Sequence, residues 1–324
     1  MLANSKLTVL LALLVLAVIS MVFAMLTGTS PLSANEFFTT LQGKGSALHH
    51  ALIFELRLPR ALAAFVCGAT LSLAGVLMQV LLRNPLADPY VLGVSGGASF
   101  FSLIIILLGL EGLWLTSAAF MGALLSIFLV FVFVQGKGSW TITRLLLTGV
   151  VLASGWGALI SFTLVITPPE KIHGMLFWLM GDLSYDRPLL PAYLILLMGF
   201  MLTMPVSRQL NVMLWGDLQA GSLGINVNRL RVYLFMLASL LTAGTVTVAG
   251  SIGFVGLVVP HLIRLLIGSD HRFLLPASAL GGGALLIIAD TLARTLIAPQ
   301  QIPVGVITAL LGVPLFLYLL RRCV

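Results

Sequence analysis

Apolar runs about the length of a bilayer crossing, separated by short polar breaks, make up most of the chain. In order they predict spans over about 7–26, 61–82, 90–110, 113–134, 144–166, 188–206, 232–250, 251–267, 273–295 and 304–320. Most come close to the roughly 20 residues a helix needs to cross the hydrocarbon core. The runs are continuous where a transmembrane barrel would alternate, which excludes that architecture. Pro85 and Pro89 forbid a continuous helix after the second run, and Glu111-Gly112 turns the chain after the third. A short extra helix is expected around Met175 to Met180. The first run follows Lys6, as the core of a signal peptide would. It is longer than the roughly 7–15 residues of such a core, and no small-x-small cleavage site closes it. A retained first span is the expectation.

One long stretch in the second half breaks the pattern. Residues 208–231 are too polar for lipid and too long for a simple turn. Leu210, Leu214 and Leu218 recur at helical spacing, as do Ala220 and Leu223. Gly216 and Gly224 fall where left-handed geometry ends helices. The pattern predicts two short helices outside the membrane, each with one apolar stripe. Such a segment is either a docking element for a partner's groove or a solvated surface loop.

Composition agrees with the spans. Hydrophobic residues make up 60% of the chain and charged residues 8%, with mean hydropathy +1.14. A soluble domain carries about 25% charged residues, so this sequence has no water-facing shell to build. A net charge of +7 would suggest nucleic acid in a soluble protein. Here the basic residues lie at the ends of apolar runs, where they orient helices in a membrane. With the amino terminus inside, Lys6, Arg83, Lys137, Arg144, Arg208, Arg229, Arg231, Arg264, Arg272, Arg321 and Arg322 face the cytoplasm. Lys44, Arg57, Arg60, Lys171, Arg187 and Arg294 face outward. The bias predicts both termini inside and places 208–231 there too, which favours docking over loop. Cys67 lies within a span and Cys323 at the end, positions that suit packing better than redox or metal chemistry.

Candidate chemistry is sparse. Arg57 and Arg60, three apart beside Pro59, could present two guanidiniums to carboxylates or could simply anchor the helix end at the interface. His261 and Arg264 are three apart without a second histidine at metal-binding spacing, so His261 is expected to bind free carbonyls. Asp290 and Arg294 form an i, i+4 pair that would neutralise a charge otherwise costing about 2.5–3.5 kcal/mol in mid-bilayer. Gly43-Lys44 and Gly136-Lys137 are each followed by glycine, not by the hydroxyl residue of a phosphate-binding loop. A nucleophile elbow and a zinc signature are missing as well, which argues against a membrane enzyme. The octet from Gly68 to Gly75 faintly echoes that from Ala243 to Gly250, as an inverted repeat would.

Several motifs together resemble one family. Arg83-Asn-Pro-Leu-Ala-Asp-Pro89 leads into Gly93-Val-Ser-Gly-Gly-Ala98. Further on come Gly253-Phe-Val-Gly-Leu-Val-Val-Pro-His261-Leu-Ile-Arg264, Asp270-His-Arg272, Ala289-Asp290, Pro303-Val-Gly305 and Gly312-Val-Pro314. The set, spread over nearly the whole chain from Arg57, resembles the FecCD-type permeases of ATP-driven importers for iron-siderophores, haem and cobalamin. The resemblance implies a ten-span type II ABC importer permease fold that works as a homodimer or pseudo-dimer. It implies two cytoplasmic ATPase subunits, which carry the ATP and Mg, and a periplasmic binding protein. By the same resemblance Arg57, Arg60 and Arg294 receive carboxylates of the binding protein, and Asn84 and Leu86 narrow the inner end of the path. The coupling element is Trp215 to Gly224, comprising Trp215, Gly216, Asp217, Leu218, Ala220, Ser222, Leu223 and Gly224. The turn from Gln135 to Thr143 corresponds to a second inner gate.

The sequence therefore predicts an all-α integral membrane protein. One permease domain covers 1–324, with 208–231 as a cytoplasmic coupling segment, in the bacterial inner membrane. It has no cofactor, metal or nucleotide site of its own. The rival is a secondary transporter driven by an ion gradient, which needs buried carboxylates along its path; Asp290 is the only candidate.

Overall fold

A computed structural model describes residues 2–28, 30, 32–135, 141–183 and 189–323. Arg187, Lys137 and most of the expected second gate, 136–140, lie outside the described residues. The described chain is helical, in the order α1 (Leu2–Leu26), α2 (Ala34–Leu41), α3 (Ala47–His50), a π-helical segment (Ala51–Arg57) and α4 (Leu58–Leu81). A 3-10 turn (Pro89–Leu92) leads to α5 (Val94–Leu107), α6 (Leu113–Val134), α7 (Ile142–Ile166), α8 (Pro169–Leu179) and α9 (Leu190–Met213). Then come α10 (Asp217–Ser222), α11 (Val227–Ala249), α12 (Val255–Ile267), α13 (His271–Thr295) and α14 (Val304–Cys323).

Between Arg60 and Gln79 helix α4 is apolar or small on every side, the pattern of a helix buried all round. Within Ala47–Leu81 89% of the apolar membrane-length stretch is buried, against 17% of the corresponding stretches of α1 and α7, so α4 is the core and those two lie at the rim. α4 packs against α13, α11 and α12. Its two closest crossings are made by glycine. A Cβ on Gly68 would strike the Gly282 carbonyl of α13, and one on Gly75 would strike the Gly256 carbonyl of α12. Lipid gives apolar faces no reason to associate, so backbone approach of this kind supplies the packing that holds the bundle. The echoing octets lie on α4 and α11, which pack on each other.

Among the described residues seven helices are long and apolar enough to cross a bilayer, and α5 and α12 are shorter. The ten apolar segments read from the sequence are thus present, but α5 and α12, of 14 and 13 residues, do not reach across alone. The eighth run was expected to be helical from Ser251. Its helix starts only at Val255, after Gly250 and Gly253, and Phe254 there has φ 69°. Thirteen residues rise about 20 Å, short of the roughly 30 Å core. Backbone freed at this junction is paired. Asp182 N–H donates to the Ala249 carbonyl (2.9 Å), and Val304 and Gly305 N–H donate to Gly181 and Met180 (3.1 and 3.0 Å). The segment after α8 thereby stitches the end of α11 to the start of α14, as non-helical backbone at membrane depth requires.

Other boundaries moved for local reasons. The second span begins at Ala47, not near residue 61. The wider π register just before Pro59 accommodates a residue that lacks an N–H and crowds the preceding turn. The expected helix at 175–180 is α8, which begins earlier, at Pro169. The first of the two short helices expected in 208–231 is the end of α9, which runs on through Arg208 to Met213. Polarity ends the lipid-facing part of a helix without ending the helix.

We expect Gly75→Leu to abolish the folded bundle, since a collision with backbone cannot be relieved by side-chain motion and exceeds the usual overpacking cost of about 1–3 kcal/mol. A leucine at Gly174, where a side chain meets open space, leaves the yield and melting temperature of detergent-extracted protein unchanged.

Candidate functional site

The two ends of α4 carry the two polar constellations. At its start, Arg57 closes the π segment and Arg60 stands in the first turn. α13 brings Asp290 and Arg294 alongside in its last turns. The Asp290 carboxylate is 1% exposed and lies between two guanidiniums. Arg60 grips it through Nε (3.0 Å) and Nη2 (2.9 Å), and Arg294 through Nε (3.1 Å). The expected Asp290–Arg294 pair is present. The sequence did not reveal Arg60 as its second partner, because the two are 230 residues apart. Arg60 Nη1 also donates to Gln301 (3.0 Å).

Arg57 is placed differently from the expectation of two guanidiniums side by side. It is buried, and its guanidinium donates to the backbone carbonyls of Met25 (2.7 Å), Leu26 (3.1 Å) and Ser30. It therefore ties the end of α1 to the start of α4. All three arginines still line one cavity of about 160 Å³, with Gly28, Ser30, Leu52, Leu56 and Gln301. Three guanidiniums around one carboxylate leave this cavity with an excess of two positive charges. A carboxylate supplied from outside would meet preorganised, charge-assisted donors.

Beyond the other end of α4, the loop 82–88 is a compact turn. Asn84 Oδ1 accepts the Leu86 N–H (2.9 Å), and the Asn84 carbonyl accepts that of Ala87 (3.1 Å). Asn84 is exposed and Leu86 half-buried. Arg83 pairs with Asp217, whose second oxygen accepts from Arg231 of α11 (2.7 Å).

Gly216 (φ 111°) and Gly224 (φ 81°) bracket α10, as their positions predict. Leu210, Leu214 and Leu218 do not share one stripe, because the break at Trp215-Gly216 leaves Leu210 buried in α9 and the other two exposed. On α10, Ala220 faces inward at 0% exposure and Leu218 is 90% exposed, while the flanking Trp215 and Leu223 are 67% and 61% exposed. Ser222 is also exposed, its hydroxyl donating to the Gln219 carbonyl. The result is an uncovered apolar cap on a short helix flanked by charge.

Near this end Asn211 of α9 accepts from His271 and donates to Asp270 (3.0 Å). Arg272 forks onto Asp270, and that contact holds its carboxyl well below the usual carboxylate range. The expected carbonyl contact of His261 is not made through its Nδ1, which is buried without a hydrogen-bond partner among the described residues. Cys67 is buried within α4, and the side chain of Cys323 lies outside the described residues.

The signature of the FecCD transport family matches residues 14–322. The chain is 39% identical to the hemin transport system permease protein HmuU of Yersinia pestis, over 96% of this chain and 94% of that one. It is 42% identical to the cobalamin import system permease protein BtuC of Halobacterium salinarum, over 83% and 73%. It is 38% identical to the Fe(3+) dicitrate transport system permease protein FecD of Escherichia coli, over 85% and 86%. Among solved structures, an inward-facing ABC transporter of metal-chelate type superposes with TM-score 0.84 at 31% identity, covering 98% of this chain and 99% of that one.

The buried cluster makes a direct prediction. Asp290→Asn leaves two guanidiniums without their carboxylate and should cost about 3 kcal/mol or more. Denaturant unfolding in detergent will show this as a lower midpoint, whereas Asn84→Ala at the exposed turn leaves the midpoint within error.

Proposed function

Because the chain belongs to the FecCD transport family and is the permease subunit of an ABC importer, we propose that its cargo is a bulky chelate of the iron-siderophore, haem or cobalamin type. The subunit carries no ATPase site of its own. In this reading the whole of 1–324 is one permease domain in the bacterial inner membrane, with both termini in the cytoplasm. It pairs with a second copy and two cytoplasmic ATPase subunits that hold ATP and Mg. A periplasmic binding protein delivers the cargo.

The observation that carries the reading is the apolar cap of Trp215, Leu218 and Leu223 beside Gly216, Asp217, Ala220, Ser222 and Gly224. Exposed apolar surface rimmed by charge at a position outside the spans calls for a protein partner. ATP-driven closure of that partner would shift α10 as a unit and alternate access to the path, with Asn84 and Leu86 at its inner mouth. The cationic cavity of Arg57, Arg60 and Arg294 suits carboxylates of the binding protein, with Arg57 shaping its floor through the carbonyls it holds. α7 leaves Ser154, Gly155, Gly157, Ala158 and Ser161 uncovered, a weakly polar face that suits a path shared with the second copy. Few fixed charges along such a path mean no deep binding site for a large cargo to escape.

An ion-gradient-driven transporter would need a carboxylate free to exchange protons. Asp290 is held between two guanidiniums and does not supply one.

Vesicles containing permease, ATPase and binding protein should take up chelate only with ATP, and vanadate should stop it. Uptake that persists without the ATPase contradicts the proposal. Arg60→Gln should weaken capture of the loaded binding protein by about tenfold or more, as loss of one side of a desolvated charge pair does, with Lys44→Gln as the neutral control.

A further inference from the structure

Arg83 has φ 48°; among the described residues Phe254 alone shares a positive φ without being glycine. A residue with a Cβ takes that conformation at a cost and stays there only if its surroundings hold it. On the chain side, Arg83 N–H donates to the Val80 carbonyl (3.2 Å) and Asn84 N–H to that of Gln79 (3.1 Å), closing α4. On the other side, the Arg83 guanidinium pairs with Asp217 in the first turn of α10. Asp217 is simultaneously held by Arg231, buried on α11. The hydrogen bonds from Leu86 and Ala87 back to Asn84 make residues 84–87 one compact piece directly attached to Arg83.

We propose that Arg83 is a positioning residue that passes the displacement of α10 to the inner gate, with Asp217 as the shared joint and Arg231 as its fixed post. The inference rests on α10 being the coupling element and on Asn84 and Leu86 being the gate. α10 packs on α9 and α11, and the Arg83–Asp217 pair ties it to the loop that follows α4. The side chains of this pair are 32% and 40% exposed, so water screens it and it makes and breaks at little cost. That suits a joint used in every cycle. When it opens, the left-handed backbone at Arg83 keeps only its two helix-closing hydrogen bonds and loses its tie to α10, and the turn carrying Asn84 and Leu86 is freed to move independently of α10.

The test uses the full transporter, with ATPase and binding protein, in proteoliposomes. The readouts are cargo moved per ATP hydrolysed and labelling of Leu86→Cys by an impermeant maleimide, with and without vanadate trapping. Arg83→Gln should keep its ATPase subunits and hydrolyse ATP, yet move about tenfold less cargo per ATP, within the usual range of coupling between sites. Its Leu86→Cys labelling should no longer follow the nucleotide state. Arg83→Lys, which keeps the charge but not the fork, should recover part of both. Unchanged cargo per ATP, with labelling that still switches in Arg83→Gln, overturns the proposal. So does loss of ATPase subunits in that variant, because Arg83 would then belong to the docking surface. Leu218→Arg tests the premise separately: if the ATPase still assembles and is still stimulated, α10 is not the coupling element, whatever Arg83 does.

Discussion

The structure depends on how closely α4 can approach its neighbours. In lipid the usual drive to bury apolar surface between helices is absent, and dispersion between tightly fitted atoms takes over. Gly68 against Gly282 and Gly75 against Gly256 let backbones touch where any side chain would hold them apart. Around that contact α4, α11 and α13 form an interior that is mostly buried, while α1, α7 and α9 are largely uncovered. A close-packed interior of this kind transmits displacement without absorbing it. A push at one end of the bundle can therefore be felt along it.

The two ends of α4 solve one electrostatic problem in two ways. In each case a single aspartate is shared by two arginines from different parts of the chain: Asp290 by Arg60 and Arg294, and Asp217 by Arg83 and Arg231. Asp290 is 1% exposed and Asp217 40%. The buried cluster cannot be broken without stranding charge in low dielectric, so it fixes the end proposed to receive the binding protein. In the wetter cluster the Arg83–Asp217 pair exchanges with water readily, so it suits the end proposed to move with the ATPases. Burial alone separates an anchor from a joint built of the same residue types.

Much of this was legible in the sequence, for physical reasons. A run such as 113–134 carries no charge between glycine and glutamine, and its helix α6 begins and ends there. Gly216 and Gly224 marked the limits of α10 because the chain needs left-handed geometry at both. Where hydropathy and helicity diverge, the reading slipped: α9 continues past its last lipid-facing residue through Arg208 to Met213, and the eighth run starts as non-helical backbone from Ser251 to Phe254. Arg57, Arg60 and Arg294 were singled out, and they do share one cavity. The tertiary placement of Arg57 against the carbonyls of Met25, Leu26 and Ser30, and of Arg60 on Asp290, carries no local signal, since each contact joins distant segments. The aspartate shared by Arg83 and Arg231 was invisible for the same reason.

The central claim is that this subunit is moved from outside itself, through an apolar cap on the cytoplasmic face. The most direct measurement is the sidedness of a single cysteine at Leu218, probed with an impermeant thiol reagent in sealed vesicles of known orientation. The account predicts labelling from the cytoplasmic side alone, and protection from it once the ATPase subunits are bound. Labelling from the external side, or labelling that ATPase binding leaves unchanged, would contradict it.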